Sequence, residues 1–561
     1  MPAMATPRRR ATRAGKRNRA TRDAQGFHVR TTGDREARDT SEPAPPEKVP
    51  RWQRWLPPVA LLLLSVAFRV PALMNAAGTN SDAAIVGLQA MHILRGEWSW
   101  FLWGTGYQGS VDPLLTALAF AVTGPSPLVL MCVPLALHLV LVWLVWDILR
   151  RHLHWGSALV ATMPVVLTPW AVNSVVLYLP RQACITLLFL GLWLLEGINR
   201  SPRPRLRLGL GVSLGVLSLY LDLFALQIMV AFGLFALLCS LDLRMARPAL
   251  ARRLAIIGAA AVTSGLVVLL LRQAPHREEP TLSLTLAKVG ENWQLLTTEC
   301  LPYLLGAKVY ARIEHLGPQL WHAPWFVRVV QWSGAVIFGA GLAFALLAIK
   351  LRRLPWDVRR LGLLGGVAAL SSLGAFVVSM SPYDVWAVRY LAPMIWLAPF
   401  ALAPAAALLR ARWFAAALAP YLVAATIGGW LSYGPYVRGA MPVRFPRGVA
   451  QEEQQLAEAL RSRQVKFAAA DYWLAYRLSF LFHEDPIVVP LAPHQDRYPP
   501  YRKAFLTSRH TAFIFHPMEP GASEEQIRAA LARIPGRIET LQVADYTVLL
   551  FERTLGEPRG S

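Results

Sequence analysis

Runs of roughly 20 apolar residues recur along most of this chain, and no other feature limits its fold so severely. A stretch of that length crosses a bilayer as a helix, because in hydrocarbon every backbone N–H and C=O must find its partner within the segment. Of 561 residues, 55% are hydrophobic and only 16% are charged, which is little charge for a soluble surface of this size. The sequence therefore predicts a polytopic α-helical membrane protein. Apolar segments lie near 57–74, 113–124, 126–149, 156–177, 181–198, 207–221, 223–241, 253–271, 327–349, 360–380, 390–409 and 412–432. The segment 113–124 is short for a crossing and reads as juxtamembrane or re-entrant, leaving about eleven spans.

A net charge of +23 invites a nucleic-acid reading, which the distribution of the charge opposes. Lys and Arg gather in short clusters between apolar runs, the pattern of a topology signal. Arg150–Arg151, Arg200–Arg207, Arg244–Arg253, Lys350–Arg360 and Arg410–Arg412 are expected on the cytoplasmic side. Residues 1–50 are Arg-rich with few large apolar side chains, and read as a disordered cytoplasmic tail. Trp52 and Trp55 suit the interface before the first span. In the transmembrane domain, 51–432, an odd number of spans then places a first loop (75–125), a large loop (272–326), the turns near Arg181 and Asp222, and loop 381–389 on the external side. The remainder, 433–561, is external too. There "QEEQQLAEALRSRQ" and "SEEQIRAALARI" read as helices, while "VKFAAA", "PIVVPL", "TAFIFH" and "YTVLLFE" read as strands, so a small α/β domain is expected. The four cysteines show no metal-ligand spacing.

The polar chemistry concentrates in the external loops. In "NSDAAIVGLQAMHILRGEWSWFLWGTGYQGSVDP", 80–113, Asn80 or Ser81 caps a helix that carries Asp82 in its first turn. At about 100° per residue, Asp82, Gln89 and His92 share one sector, opposite an apolar face of Ala84, Leu88 and Met91 suited to a membrane surface. Gly96 is a helix stop, and Trp98, Trp100, Phe101 and Trp103 suit the interface. Asp82 and Asp112 are two carboxylates at this surface. Either one is a general base for a hydroxyl or amine, or both are ordinary helix-start residues. Arg389 lies external at the start of a span, where it either holds a phosphate through two-point contact or snorkels to headgroups. The same two readings apply to Arg181. Lys308, Arg312 and His315 read as surface charges. In "ADYWLAYRLSFLF", 470–482, Tyr472, Trp473, Tyr476 and Arg477 read as a packing stripe or as a platform for a sugar or membrane.

An acidic residue soon after span one, a helix ending near "LRGE", an aromatic stretch, "GYQGS", and Asp112-Pro113 before "LLTALAFAVTG" together resemble the GT-C superfamily. These are polytopic glycosyltransferases that use polyprenyl-phosphate sugars. The resemblance is to the bacterial branch related to protein O-mannosyltransferases and lipid A aminoarabinose transferases. "VRYLAP", 388–393, resembles the Arg-Tyr-Leu-x-Pro signature where a late span of these enzymes begins. Members often read Asp-Glu at the first position and Glu-Lys-Pro at the second. This chain has Ser81-Asp82-Ala83 and Asp112-Pro113, without the second acid or the Lys. The resemblance implies an inverting enzyme of the bacterial inner membrane that transfers a hexosyl or related sugar from a polyprenyl-phosphate donor to an envelope lipid, glycan or protein. It implies Asp82 and Asp112 as catalytic, and Gln89, His92, Tyr107, Arg181, Arg389 and Tyr390 as substrate-binding. It leaves a divalent metal ion open, since some members bind one through the first-loop acid and others do not. Two rivals stand beside it. A lipid or polymer transporter predicts ionisable residues within spans. A non-catalytic relative would act through its C-terminal domain.

Overall fold

The computed structural model describes residues 51–178, 181–241, 246–272, 285–313, 317–431, 449–517 and 523–554. The expected tail 1–50, the start of the large loop and residues 432–448 lie outside them, as do the side chains of Arg312 and His315.

The chain begins with α1 (Arg51–Met74), α2 (Ser81–Leu94), α3 (Val111–Thr123), α4 (Pro127–Leu149), α5 (Trp155–Val166), α6 (Trp170–Tyr178), α7 (Gln182–Glu196), α8 (Pro204–Leu221), α9 (Leu226–Ser240) and α10 (Arg247–Arg272). Short helices α11 (Leu286–Leu295) and α12 (Leu301–Leu304) precede a hairpin of β1 (Tyr310–Ile313) and β2 (Gly317–Leu320). The bundle closes with α13 (Trp325–Leu347), α14 (Trp356–Val377), α15 (Ala392–Trp396), α16 (Ala398–Leu408) and α17 (Ala411–Leu431).

Among the described residues, seven helices are long and apolar enough to cross a membrane, and counting each of two bent pairs as one span gives up to nine. The other two expected spans are α7, with 15 residues, and α8, with 18 residues and Arg205 and Arg207 near its start. The expected non-crossing segment is α3, whose 13 residues extend only about 20 Å, less than the hydrocarbon thickness.

Both bent pairs carry their breaks at prolines or weakened turns. Between α5 and α6, Pro169 supplies no N–H, so the last carbonyls of α5 need other donors. Arg69 of α1 reaches Val166 O at 3.3 Å and Thr168 Oγ1 at 3.0 Å, and the His138 imidazole of α4 lies 2.9 Å from Val165 O. A buried arginine inside the first span thus serves a broken helix, which is where irregular backbone is tolerated at membrane depth. At the other end of α4, Trp193 of α7 donates to Asp147 at 2.8 Å. Arg151 pairs with both Asp147 and Glu196 there, so this basic cluster also ties helices together.

The tail domain holds α18 (Val449–Ser462), β3 (Phe467–Ala470), α19 (Tyr472–Leu481), β4 (Ile487–Pro490), α20 (Pro499–Thr507), β5 (His510–Phe515), α21 (Glu524–Leu531), β6 (Gly536–Val543) and β7 (Tyr546–Arg553). Its five-stranded sheet runs β4-β3-β5-β7-β6, parallel through β4, β3 and β5 and antiparallel at β5–β7 and β7–β6. All four expected strands are present. β6 was not foreseen, because it is an edge strand with mostly exposed side chains and little apolar alternation.

Helix α19 packs on both domains. Leu474, Ala475 and Leu478 of α19 sit in the core of the sheet, while Tyr472, Tyr476 and Phe480, four residues apart, pack against α2 and α3. The α2 side of this contact is built from small residues. A Cβ at Gly87 would lie 2.6 Å from the Phe480 ring. The expected membrane-facing side of α2 is therefore covered by protein: Ala84, Leu88 and Met91 are buried in this shared core. Of the loop aromatics, Trp98 and Trp100 are exposed, whereas Trp103 is buried and stacks on Tyr498 of the tail domain at 4.1 Å.

Candidate functional site

The start of α2 sets the position of Asp82. Asn80 is the cap, its side chain accepting from Ala83 N at 2.9 Å, which leaves the Asp82 carboxylate free of capping duty. Asp82 Oδ1 instead accepts from the Tyr472 hydroxyl at 2.7 Å. Ser81 Oγ donates to Tyr472 O at 2.5 Å, so two neighbouring bonds fix α19 over the beginning of α2.

The loop after α2 reaches the same place by close backbone approach. Gly109 N donates to Leu221 O at 2.9 Å, and Leu223 N donates to Tyr107 O at 3.3 Å. A side chain at 109 would meet the Tyr220 ring at 2.9 Å, so "GYQGS" needs its glycine to lie against the α8–α9 turn. Gln108 then donates to Asp222 Oδ2 at 2.8 Å. The same oxygen accepts from Arg181 Nε at 2.9 Å. Arg181 lies over the rings of Phe224, at 4.7 Å, and Tyr390, at 5.8 Å, while Arg389 lies over Tyr390 at 5.4 Å. Arg181 Nη1 is buried and has no hydrogen-bond partner among the described residues. Arg389 is half-buried and has no ion pair among them.

Tyr107 joins this group through its backbone, its carbonyl accepting from Leu223 N. Burial pushes its hydroxyl pKa up, and the charges that act on it come from Arg181, Asp222, Arg497 and Asp82. The candidates Asp82, Tyr107, Arg181, Arg389 and Tyr390 are thus brought into one region, where the first loop, the α6–α7 and α8–α9 turns, the segment before α15 and the tail domain meet.

The other three candidates are committed to structure-building contacts. Asp112 Oδ1 accepts from Ala183 N at 3.3 Å, at the first turn of α7. Burial, with Asp222 nearby, pushes its pKa up to about 7 against the pull of that backbone N–H. Gln89 donates to Phe101 O at 3.1 Å and Ser110 Oγ at 2.9 Å and accepts from Trp103 N at 3.0 Å, so its amide folds the loop. His92 lies 2.7 Å from both Glu97 Oε2 and Glu484 Oε1, and 3.1 Å from the Tyr501 hydroxyl. Burial acts to lower the His92 pKa, but the bonds to the two carboxylates outweigh it and the net direction is up. Burial likewise opposes ionisation of Glu484, yet His92, Arg95 and Tyr501 hold it down at about 2. Lys308 is paired with Glu299.

Asp222 and Arg497 were not foreseen here, and Tyr472 was read only within a stripe that either packs or forms a platform for a sugar or membrane. Asp222 was legible only as a turn acid; its buried side chain is the signal that it orients a cation. The described donor to Asp82 is the Tyr472 hydroxyl, which in turn accepts from the Arg497 guanidinium. Among the described residues, one group of three acidic or His side chains converges, Glu452, His516 and Asp545 in the tail domain, with ligand atoms within 4.8 Å of one another.

No protein-family model matches the chain, and no curated protein matches it in sequence. The fold does have solved counterparts. The apo structure of ArnT from Cupriavidus metallidurans is similar at TM-score 0.53 and 12% identity, over 89% of this chain and 98% of that one. ArnT from the same organism bound to undecaprenyl phosphate is similar at TM-score 0.53 and 14% identity, over the same shares. The resemblance read from the first loop therefore holds at the level of fold: over most of its length the chain folds like ArnT, with seven to nine spans' worth of helices long and apolar enough to cross a membrane among the described residues.

Proposed function

We propose that the protein is a membrane glycosyltransferase. It moves a hexosyl or related sugar from a polyprenyl-phosphate donor to an envelope lipid, glycan or protein on the external face of the bacterial inner membrane. The observation that carries this reading is a carboxylate, Asp82, in the same loop region as two arginines that keep unmet capacity for an anion, Arg181 being held by Asp222 through Nε alone among the described residues. Arg181 keeps a buried Nη1 without a partner among the described residues, and Arg389 has no ion pair among them. A buried guanidinium nitrogen left unpaired is costly unless a ligand completes it, and phosphate is the anion whose geometry suits a guanidinium. The undecaprenyl phosphate bound to the similarly folded ArnT supports the donor class.

The chemistry follows from that charge layout. The acceptor oxygen or nitrogen attacks the anomeric carbon, the bond from that carbon to the phosphate oxygen breaks, and the acceptor proton passes to Asp82. The lipid phosphate leaves with the bonding electrons, and Arg181 and Arg389 hold the charge that develops on it. Attack opposite the leaving group inverts the anomeric centre. Asp222 and Gln108 aim Arg181, with Tyr390 as the surface on which both arginines rest. Asp112 secures the start of α7, and Gln89 and His92 hold the loop that follows the helix carrying Asp82.

The test is transfer by purified protein from a panel of radiolabelled polyprenyl-phosphate sugars to membrane acceptors. Labelled product with stoichiometric release of polyprenyl phosphate is expected for one donor. Inertness of all donors, with the protein folded, would sink the reading.

A further inference from the structure

Arg497 lies in the tail domain, in the segment between β4 and α20, yet it enters the first loop. Its Nη1 donates to Gly104 O at 2.9 Å, and its Nε donates to the Tyr472 hydroxyl at 3.2 Å. Its guanidinium carbon lies 5.6 Å from the centre of the Tyr472 ring. Gly104 is shaped for this passage. It has φ +66°, and a Cβ there would fall 2.4 Å from Arg497 Cδ and 2.7 Å from its Cα. Arg497 N also donates to the Tyr476 hydroxyl at 2.5 Å, so α19 holds the arginine from both backbone and side chain.

The consequence reaches Asp82. The Tyr472 hydroxyl accepts from Arg497 and donates its own proton to Asp82 Oδ1 at 2.7 Å. A hydroxyl that accepts from a cation is a stronger donor, because successive hydrogen bonds polarise one another. Oδ1 is thus engaged, and among the described residues no hydrogen bond engages Oδ2. We propose that Arg497 and Tyr472 are positioning residues that aim Asp82 at the acceptor, so that the site is complete only with the tail domain docked. This rests on the role given to Asp82 above.

Two readouts on the full-length protein separate the proposal from that role. The first needs no turnover: modification of Asp82 by a hydrophobic carbodiimide, followed by mass spectrometry. Loss of the hydroxyl in Tyr472→Phe frees Oδ1, and labelling of Asp82 is expected to rise several-fold at fixed pH. The second is steady-state transfer. Tyr472→Phe is expected to lower kcat about ten-fold with donor KM unchanged, the signature of an interaction used in the transition state. Arg497→Lys, which cannot bridge Tyr472 and Gly104 as a fork does, should fall with it. Unchanged labelling overturns the proposal, and so does a kcat that stays at the parent value or a loss that appears in KM alone. Retained transfer by Asp82→Asn sinks the role of Asp82 itself, whatever Tyr472→Phe does.

Discussion

Asp112 shows how the surroundings of a residue set its behaviour. Its pKa is pushed up to about 7 by burial. A carboxyl raised in the folded state favours folding while protonated. That contribution is fully present below its ordinary value near 3.8 and is lost as pH rises through about 7. Asp112→Asn keeps the acceptor oxygen for Ala183 N and removes the titration. Thermal melts should therefore show the parent losing stability from about pH 4 to pH 8 relative to the variant. Parallel curves would mean that Asp112 stays ionised there. Arg389→Lys keeps the charge and loses the planar two-point contact, so donor KM is expected to rise about ten-fold with little change in melting temperature. An unchanged donor KM would leave Arg389 as a snorkelling residue. Asp82, Arg181 and Arg389 stood out in the sequence as candidates because a charge in a loop beside a span is itself a signal. The pairings of Tyr472 and Arg497 did not, since their partners lie 390 and 393 residues away and no local pattern records them.

At the level of elements, the contact of α2 with α19 decides whether the first loop and the tail domain act together. Gly87→Ala would drive a methyl into the Phe480 ring, at a cost of about 1–3 kcal/mol of overpacking. Protease sensitivity of the tail domain should rise in that variant, and unaltered digestion would argue that the interface adapts. The same contact carries a charge clamp of His92, Glu97, Glu484, Arg95 and Tyr501. Glu484, held at about 2, contributes stability above its ordinary value of 4.5 that disappears as pH falls from 4.5 towards 2. His92, with its pKa raised, contributes below 6.5 and loses that contribution as pH rises through its folded value. Docking of the tail should therefore weaken at both extremes, and Glu484→Gln should remove the acid limb. Hydrogen exchange across α19 as a function of pH reads this, and an acid limb that persists in Glu484→Gln would assign it elsewhere. The helix pattern of α19 was legible, but its two faces were not. Tyr472, Tyr476 and Phe480 look like ordinary core until α2 is seen to be the surface they cover.

For the whole molecule, the shared core of α2 and α19 places the first loop and the tail domain on one side of the membrane. The crossings between them must then be even in number, so the total including α1 is odd. Both the nine spans counted with the bent pairs and the about eleven read from apolar runs meet that condition. By the positive-inside trend of the basic clusters, the proposal makes the shared side external. A cysteine introduced at exposed Ser523 should react with an impermeant maleimide in intact cells, and protection until lysis would reverse the orientation. The apolar architecture was readable throughout because hydrophobic length is a one-dimensional signal. The breaks were not, since Arg69 and His138 sit within runs that look uniformly apolar and serve carbonyls of another helix. The central claim is that Asp82 activates the acceptor in sugar transfer, and Asp82→Asn tests it most directly. Asn80 is the helix cap, and asparagine at 82 remains compatible with a helix start, so the protein should insert, purify and bind its polyprenyl-phosphate donor as before. Turnover should fall about 100-fold or more, because an amide cannot take the acceptor proton. Near-normal transfer by Asp82→Asn would contradict the claim.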